Sequence, residues 1–262
     1  MPITETFDPH SPEVISPAQT NTPIANFPQT MVVAFQPRTF SVLLDQYLLT
    51  PLGDLQLEES DESSSNRGHV YAMSYDGCRL GVYLSHIGAP STVASLEKAI
   101  AYGTKRFVVF GTCGALIPDL ATGGLIVPTA ARRDEGTSYH YAPSSDDIIV
   151  STAERTASIL GDIGIPHILG KVWTTDAFFR ETQVNVAARV NEGCIAVDME
   201  TSALAALAQF RGVAIHHFLY TADTLADATW DPGILGTLPT ELRARYVRIA
   251  LELAVRLERG QG

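Results

Sequence analysis

Two carboxylates stand close together in residues 193–210, GCIAVDMETSALAALAQF. Asp198 and Glu200 flank Met199 where an apolar, strand-like run stops and a run of small, helix-forming residues begins. A charge at such a buried junction is costly unless a partner satisfies it with hydrogen bonds. The pair therefore indicates either a ligand that donates hydrogen bonds or, as the alternative, an acid that only favours the first turn of a helix.

Three further stretches end β-like runs with unusual residues: SHIGAPST, FGTCGAL and YTADTLAD. Ligands of open α/β sheets gather beyond the carboxyl ends of the strands, so we expect these stretches to meet. The alternative is that Gly88, Gly111 and Gly114 serve only backbone geometry, since glycine readily adopts positive φ. No GxGxxG, GxxxxGK[ST], GxSxG or HExxH motif is present, so dinucleotide, P-loop, hydrolase-elbow and zincin sites lack support.

The elements that must position these residues follow from local patterns. The β-rich runs 69–75 and 79–87, separated by DGC, predict a hairpin. Further strands are predicted at 106–112, 123–130 and 216–222, and helices at 91–103, 151–163 and 183–191. A C-terminal amphipathic helix is indicated by Leu242, Tyr246, Ile249, Leu253 and Leu257. Strands alternating with helices predict one α/β domain with a largely parallel or mixed sheet.

The N-terminal segment differs in composition from the rest of the chain. Residues 1–30 hold six prolines and no Lys or Arg, which predicts a flexible arm or a strap over a surface. The domain is therefore expected to span residues 31–262. Residues 57–68, LEESDESSSNRG, are expected to form a solvated loop.

Composition excludes several classes of protein. With 29 acidic and 18 basic residues the formal net charge is −11, which argues against nucleic-acid binding but leaves room for a local anion pocket. Neither a membrane-spanning run nor a signal peptide is recognisable, so no membrane partner and a cytoplasmic location are expected. Cys78, Cys113 and Cys194 lack metal-ligand spacing, so they are expected to be reduced and buried, and no metal is expected.

Taken in order, five stretches resemble the nucleoside phosphorylase family, which comprises purine and uridine phosphorylases and nucleosidases. They are SHIGAPST, FGTCGALIPDLATGGLIVPTAARRDEGTSYHYAP, WTTDAFFRET, VDMETSALAALA and YTAD, within residues 80–227. The resemblance implies a single-domain α/β fold, a three-layer sandwich whose central mixed β-sheet is flanked by helices.

The resemblance also implies roles on the nucleoside side of the site. Glu200 would accept hydrogen bonds from the ribose hydroxyls and stabilise the positive sugar, beside a wall made by Met199. Asp198 would bind substrate or only cap the helix. Asp223 would protonate a purine base, provided burial raises its pKa, with Asp227 as a less favoured substitute. The alternative is that Asp223 only forms part of a turn at the end of a strand.

The base contact implied by the resemblance is Phe178, which would stack on the base with Phe179 beside it. The alternative is that both rings belong to the core. Uridine enzymes carry a glutamine and an arginine just beyond this aromatic residue, and the run RETQVN lacks a matching pair. This difference favours a purine substrate.

The phosphate side departs from the family pattern. Gly111 and Thr112 fit its phosphate turn, but Val109 stands where an arginine is usual. Arg38 is the candidate for the N-terminal arginine, or only a solvated surface charge, and Arg132 or Arg133 could substitute. Thr137, with Ser138 and His140, is a further candidate for the pocket.

The expected activity is therefore phosphorolysis of a purine-type nucleoside, giving base and sugar 1-phosphate. Inorganic phosphate would be the co-substrate and no cofactor is expected. Two alternatives stay open, a nucleosidase that uses water and a non-catalytic nucleoside-binding protein. A homo-oligomer (dimer, trimer or hexamer) is implied, with His10 a candidate to enter a neighbour's pocket.

Overall fold

Strands and helices alternate along the chain, and the computed structural model describes residues 2–57, 68–227 and 229–260. The predicted loop at 57–68 lies almost wholly outside these residues. The strands are β1 Thr30–Ala34, β2 Thr50–Gln56, β3 His69–Tyr75, β4 Cys78–Leu84, β5 Arg106–Ala115, β6 Leu125–Asp134, β7 Asp147–Ile149, β8 His167–Thr175, β9 Cys194–Asp198 and β10 Ala214–Thr224. The α-helices are α1 Pro17–Thr20, α2 Pro37–Gln46, α3 Ala89–Tyr102, α4 Ala153–Asp162, α5 Gln183–Asn191, α6 Thr201–Arg211 and α7 Thr240–Glu258. Short 3₁₀ helices occupy Ile3–Glu5, Thr137–His140 and Phe178–Arg180.

One mixed sheet contains all of these strands, and β5 is its centre. On one side β5 pairs in parallel with β1, which continues through β4 and β3 to β2. On the other side β5 pairs with both β10 and β9, and these are connected through β6 and β8. The strands β5, β10, β6, β8 and β9 therefore close into a barrel, which the sequence pattern did not indicate.

Helices cover both faces of the sheet, as the three-layer expectation requires. In β1, Val32 packs in a core shared with α2, α4 and α7, whereas Met31 and Val33 pack in a second core shared with α3 and α6. Successive side chains of a strand point to opposite faces, so a fully buried strand is apolar throughout. The predicted α/β sandwich with a mixed sheet is confirmed.

Most predicted elements are present with shifted ends. The hairpin is confirmed, and its turn places Asp76 and Gly77 at φ of 47° and 74°. Helix α3 begins two residues before the predicted start, because Pro90 fits its first turn and Gly88 precedes it at φ 104°. The predicted helix 183–191 coincides with α5, and four of the five marked residues of α7 are buried.

The proline-rich segment lies along the surface of its own chain. Phe7 meets Phe210 edge to face, and Glu13 forms an ion pair with Arg211. The Tyr102 hydroxyl donates a hydrogen bond of 2.6 Å to the side chain of Asn21. These contacts favour the strap alternative, while the division into an arm and a domain at residue 30 stays a prediction. No described helix is both long and apolar enough to cross a membrane.

Two glycines test how the backbone supports this fold. Gly77 in the hairpin turn has positive φ, whereas Gly161 lies in α4 with open space around its Cα. We expect Gly77→Ala to lower the free energy of unfolding by about 1–2 kcal/mol, because a side chain is strained at positive φ. Gly161→Ala should instead raise it by roughly 0.5–1 kcal/mol through helix propensity. Urea unfolding of both variants checks the signs; equal effects would contradict the two local conformations.

Candidate active site

A cavity of about 580 Å³ lies at the C-terminal ends of β5, β9 and β10 and just beyond β1 and β4. The four stretches predicted to meet do so here. Six of the predicted site residues line it, namely Thr112, Phe178, Asp198, Met199, Glu200 and Asp223. The other lining residues are Phe35, Gln36, Ile87, Cys113, Gly114, Phe179, Glu181, Val197, Leu225, Trp230 and Leu235.

The Asp198 carboxylate is saturated with hydrogen bonds from the protein. One oxygen accepts from the backbone N–H of Thr201 (2.8 Å), the Thr201 hydroxyl (2.6 Å) and the N–H of Glu200 (3.2 Å). The other accepts from the Thr174 hydroxyl at 2.7 Å. These bonds hold the start of α6 against β8, so Asp198 caps the helix, as one of the two sequence alternatives had it.

Glu200 is buried, and its carboxyl group accepts hydrogen bonds from the backbone of Gly88 and Met199. The backbone N–H of Gly88, at the start of α3, donates to Oε1 at 2.6 Å. Burial raises the pKa of Glu200 to about 8, and the charge on Asp198 adds to the rise, while the Gly88 N–H opposes it. Burial also raises the pKa of Asp198, but the bonds from Thr201 and Thr174 lower it. Asp198 accepts more hydrogen bonds from the protein, and these stabilise its ionised form, so a proton shared by the pair resides on Glu200.

Asp223 stands at the end of β10, where the register with β5 shifts between Thr221 and Asp223. The Trp230 indole N–H donates to its Oδ2 at 2.8 Å. Burial raises the pKa of Asp223, and the Trp230 bond lowers it. Asp223 is therefore half-buried, which raises its pKa as the proposed acid requires, and the Trp230 bond holds its orientation.

Two glycines of β5 make room for this wall of the cavity. A Cβ at Gly114 would lie 2.6 Å from Leu225 Cδ1 and 3.5 Å from Asp223 Oδ1, and one at Gly111 would lie 2.9 Å from the Phe35 ring. Neither glycine has positive φ. Close approach of neighbouring side chains, rather than turn geometry, therefore explains both glycines, whereas Gly88 does have the positive φ that the backbone alternative requires.

Phe178 and Phe179 lie at the mouth of the cavity and not in the core. Their side chains are 51% and 88% exposed, and their ring centroids are 4.1 Å apart. An exposed aromatic face beside a cavity can stack on a planar ligand. The alternative that these rings are core residues is wrong for the chain as described.

Three predicted site residues do not line the cavity. Gly111 lies behind Phe35, within β5. Arg38 projects from α2 and donates to the Gly236 carbonyl at 3.2 Å, next to the lining residue Leu235. Thr137 is in the 3₁₀ helix Thr137–His140, which follows β6 and is absent from the lining of the cavity.

The two arginines that could have replaced the missing phosphate contact are engaged elsewhere. Arg132, in the C-terminal half of β6, pairs with Asp146 and Glu192. Arg133 is buried and donates to Ser138 and the Pro143 carbonyl. Neither arginine lines the cavity and local partners hold both guanidinium groups, so substitution by either arginine stays a prediction.

The charge in the cavity is of one sign. Its described lining contains four carboxyl groups, Glu181, Asp198, Glu200 and Asp223, and no Lys, Arg or His. Val109 stands where the family usually has an arginine; it is fully buried in the core shared with α3 and α6 and does not line the cavity. Within the described residues no group of three or more His, Cys, Asp or Glu is arranged to hold a metal ion.

Sequence reasoning missed Glu181 and Trp230. Glu181 lies three residues after the predicted stacking residue, and Trp230 seven residues after the predicted acid. A polar or aromatic residue just beyond each predicted site residue was the available signal, but spacing alone does not show that both side chains turn back to Asp223.

Comparisons with known proteins agree with this geometry. Residues 31–251 match the family model described as the phosphorylase superfamily. The chain is 32% identical to the guanosine phosphorylase of Halorubrum lacusprofundi, over 60% of this chain and 66% of that protein. It is 28% identical to a DeoD-type purine nucleoside phosphorylase of Caldanaerobacter subterraneus subsp. tengcongensis, over 69% and 78%. The purine nucleoside phosphorylase of Toxoplasma gondii, solved with immucillin-H, superposes with a TM-score of 0.72 at 22% identity, over 93% and 94%.

The raised pKa of Glu200 predicts a pH-dependent stability. Unfolding returns the group to its ordinary pKa of about 4.3, so the folded protein binds the proton more tightly. Stability is therefore lost as pH rises from about 4.3 towards about 8, by up to roughly 1.4 kcal/mol per pH unit. We expect Glu200→Gln to flatten this slope in urea unfolding between about pH 5 and pH 8.

The matched control is Glu154→Gln, which changes an exposed carboxylate in α4. In this variant the free energy of unfolding should depend on pH as it does in the parent protein. Parallel stability curves for the parent and Glu200→Gln would contradict a proton held on Glu200.

Proposed function

The chain belongs to the phosphorylase superfamily, and on that premise we propose that it cleaves the N-glycosidic bond of purine-type nucleosides by phosphorolysis. The products are the free base and a sugar 1-phosphate. The observation that carries the proposal is the placement of Asp223 and Glu200 in one cavity with the exposed Phe178 ring at its mouth. The names of the guanosine and purine relatives support the purine class.

Asp223 is the proposed proton donor to the base. A buried carboxyl with a raised pKa keeps its proton closer to neutral pH than an exposed one does. As the C1′–N9 bond breaks, its electron pair moves into the purine and the Asp223 proton passes to N7. The leaving base is then neutral, which lowers the barrier to its departure.

Glu200 is the proposed sugar ligand, with Met199 beside it. Ribose hydroxyls donate to the carboxylate, and these bonds favour its ionised form, so binding of the sugar releases the proton that Glu200 holds in the empty cavity. The resulting anion stabilises the positive charge that develops on the sugar in an oxocarbenium-like transition state. Asp198 positions Glu200 through the backbone and is not proposed to contact the sugar.

Phosphate is the proposed co-substrate, and its oxygen forms the new bond to C1′ opposite the departing base. Thr112 is the proposed ligand in the cavity wall, with Gly111 allowing the close packing behind it. Arg38 is proposed as a cation that reaches the site by exchanging its contact with the Gly236 carbonyl. Thr137 remains a weaker proposal, since it does not line the cavity.

Assembly and location extend the proposal. We propose a homo-oligomer, as the resemblance to the family implies, and a cytoplasmic location, which the sequence pattern favours. His10 does not line the cavity of its own chain, and its backbone N–H donates to the Asp8 side chain. A role for His10 in a neighbour's site rests on the resemblance alone.

Hydrolysis is the second candidate function, and one observation favours it. The described cavity has no cation, so a phosphate dianion would add negative charge to a site that already holds four carboxyl groups. Water carries no such charge. The fold and the proposed roles of Asp223 and Glu200 are the same for both nucleophiles.

The deciding assay is base release from inosine, guanosine, adenosine and uridine, with and without phosphate, followed by chromatography. We expect release of the purine bases that requires phosphate and yields sugar 1-phosphate. Release that ignores phosphate and yields free sugar would replace phosphorolysis with hydrolysis. No release from any nucleoside would overturn both and leave a nucleoside-binding protein.

The proposed acid makes a second prediction. Asp223→Asn should lower kcat/KM for the preferred purine nucleoside by roughly 10²–10⁴-fold, because the amide cannot transfer a proton to N7. Binding of the nucleoside, measured by calorimetry without phosphate, should change far less. The matched variant Trp230→Phe removes only the indole N–H bond and should cost less activity than Asp223→Asn. Equal activity of Asp223→Asn and the parent would contradict the role.

A further inference from the structure

Glu181 lines the active-site cavity beside the proposed acid and the proposed sugar ligand. It lies between the 3₁₀ helix Phe178–Arg180 and α5, and backbone bonds fix it on both sides. Its N–H donates to the Phe178 carbonyl at 3.3 Å, and the next residue, Thr182, caps α5 by accepting from the Asn185 N–H at 3.3 Å. The position of Glu181 is therefore tied to the aromatic ring proposed to stack on the base.

The Glu181 side chain forms part of the wall between two cavities. It lines the active-site cavity and also a second cavity of about 550 Å³, and Leu225 and Trp230 share that position. The charged residues facing it from both cavities are all acidic: Asp198, Glu200, Asp223 and Asp227. Among the described residues none donates a hydrogen bond to its carboxyl group.

An unpartnered acid in such surroundings tends to keep its proton. Burial raises the pKa of Glu181 to about 7, and repulsion from Asp223 adds to the rise. Near neutral pH the group is thus available as a hydrogen-bond donor, which an ionised carboxylate is not. No described group of the protein is hydrogen-bonded to this carboxyl group, so a bound ligand can supply the acceptor for its proton.

The chemistry of a purine indicates which atom that partner is. If Asp223 delivers its proton to N7, the neighbouring substituent on the same edge of the base is the one at C6. Glu181 lines the same cavity as Asp223, is close enough for the charge on Asp223 to affect it, and belongs to the segment that carries the stacking ring. We propose that Glu181 is a specificity residue that donates a hydrogen bond to the 6-oxo group of the base, and so favours 6-oxopurine over 6-aminopurine nucleosides.

This inference rests on the proposed function and refines its substrate class. An adenine presents N–H donors at C6 and has no acceptor there, so it leaves the Glu181 proton without a partner. Ionisation of Glu181 removes the donor and brings a second anion near the acid that must protonate N7. The preference for a 6-oxo base is therefore expected to fall as pH rises through about 7.

The test is the ratio of kcat/KM for inosine to that for adenosine, measured from about pH 6 to pH 8. Titration of Asp223 or of the nucleophile affects both substrates and cancels in the ratio. The ratio for the parent enzyme should fall about tenfold over this range, since the protonated fraction changes by that factor across a pKa of about 7. In Glu181→Gln the ratio should become independent of pH over this range, because the amide does not titrate.

Two controls separate this proposal from a structural role. Glu181→Ala should lose the preference for inosine at every pH, whereas Glu154→Gln should behave as the parent does. A parent ratio that does not vary with pH, or a Glu181→Ala variant that keeps the parent ratio, would overturn the proposal while base release still upholds the proposed function. Absence of base release by the parent enzyme would overturn both together.

Discussion

The Asp198 carboxylate, buried at the junction of β9 and α6, is the constraint on which the site depends. It collects hydrogen bonds from Thr174 of β8 and from the backbone and side chain of Thr201, whose hydroxyl also meets His217 of β10 at 3.1 Å. A buried charge is tolerated only when donors surround it, so these three elements are held together. The same bonds orient the backbone of Glu200 and direct its carboxyl group to the start of α3.

The cavity that results is balanced by protons and not by cations. Burial raises the pKa values of Glu181, Glu200 and Asp223, and repulsion from neighbouring carboxylates adds to the rise at Glu181 and Glu200. Glu181 and Glu200 therefore keep their protons at a higher pH than exposed acids do. Such a site suits a neutral ligand that offers both hydroxyl donors and ring acceptors. In the proposed roles, Glu200 is ionised when it accepts hydrogen bonds from the sugar hydroxyls, and Asp223 is protonated when it donates to the base.

Local patterns predicted the parts of the fold whose causes are local. The DGC hairpin and the helix Gln183–Asn191 appear where turn residues and periodicity placed them. In the fold Arg132 is paired with Asp146 and Glu192 and does not line the cavity. A sequence shows a free positive charge, but the packing of β6 against β7 and β8 decides what that charge meets.

By itself the sequence determined that Asp198 and Asp223 lie at strand ends and that Glu200 lies at a helix start, because short runs of residues specify such ends. It also determined the α/β class, through alternation of strands and helices. The tertiary structure alone decided that the strands close into a barrel, that Trp230 bonds to Asp223, and that Glu181 lines the same cavity as Asp223. The physical reason is that burial, repulsion and hydrogen bonding between segments far apart in the chain depend on distances that only the folded molecule has.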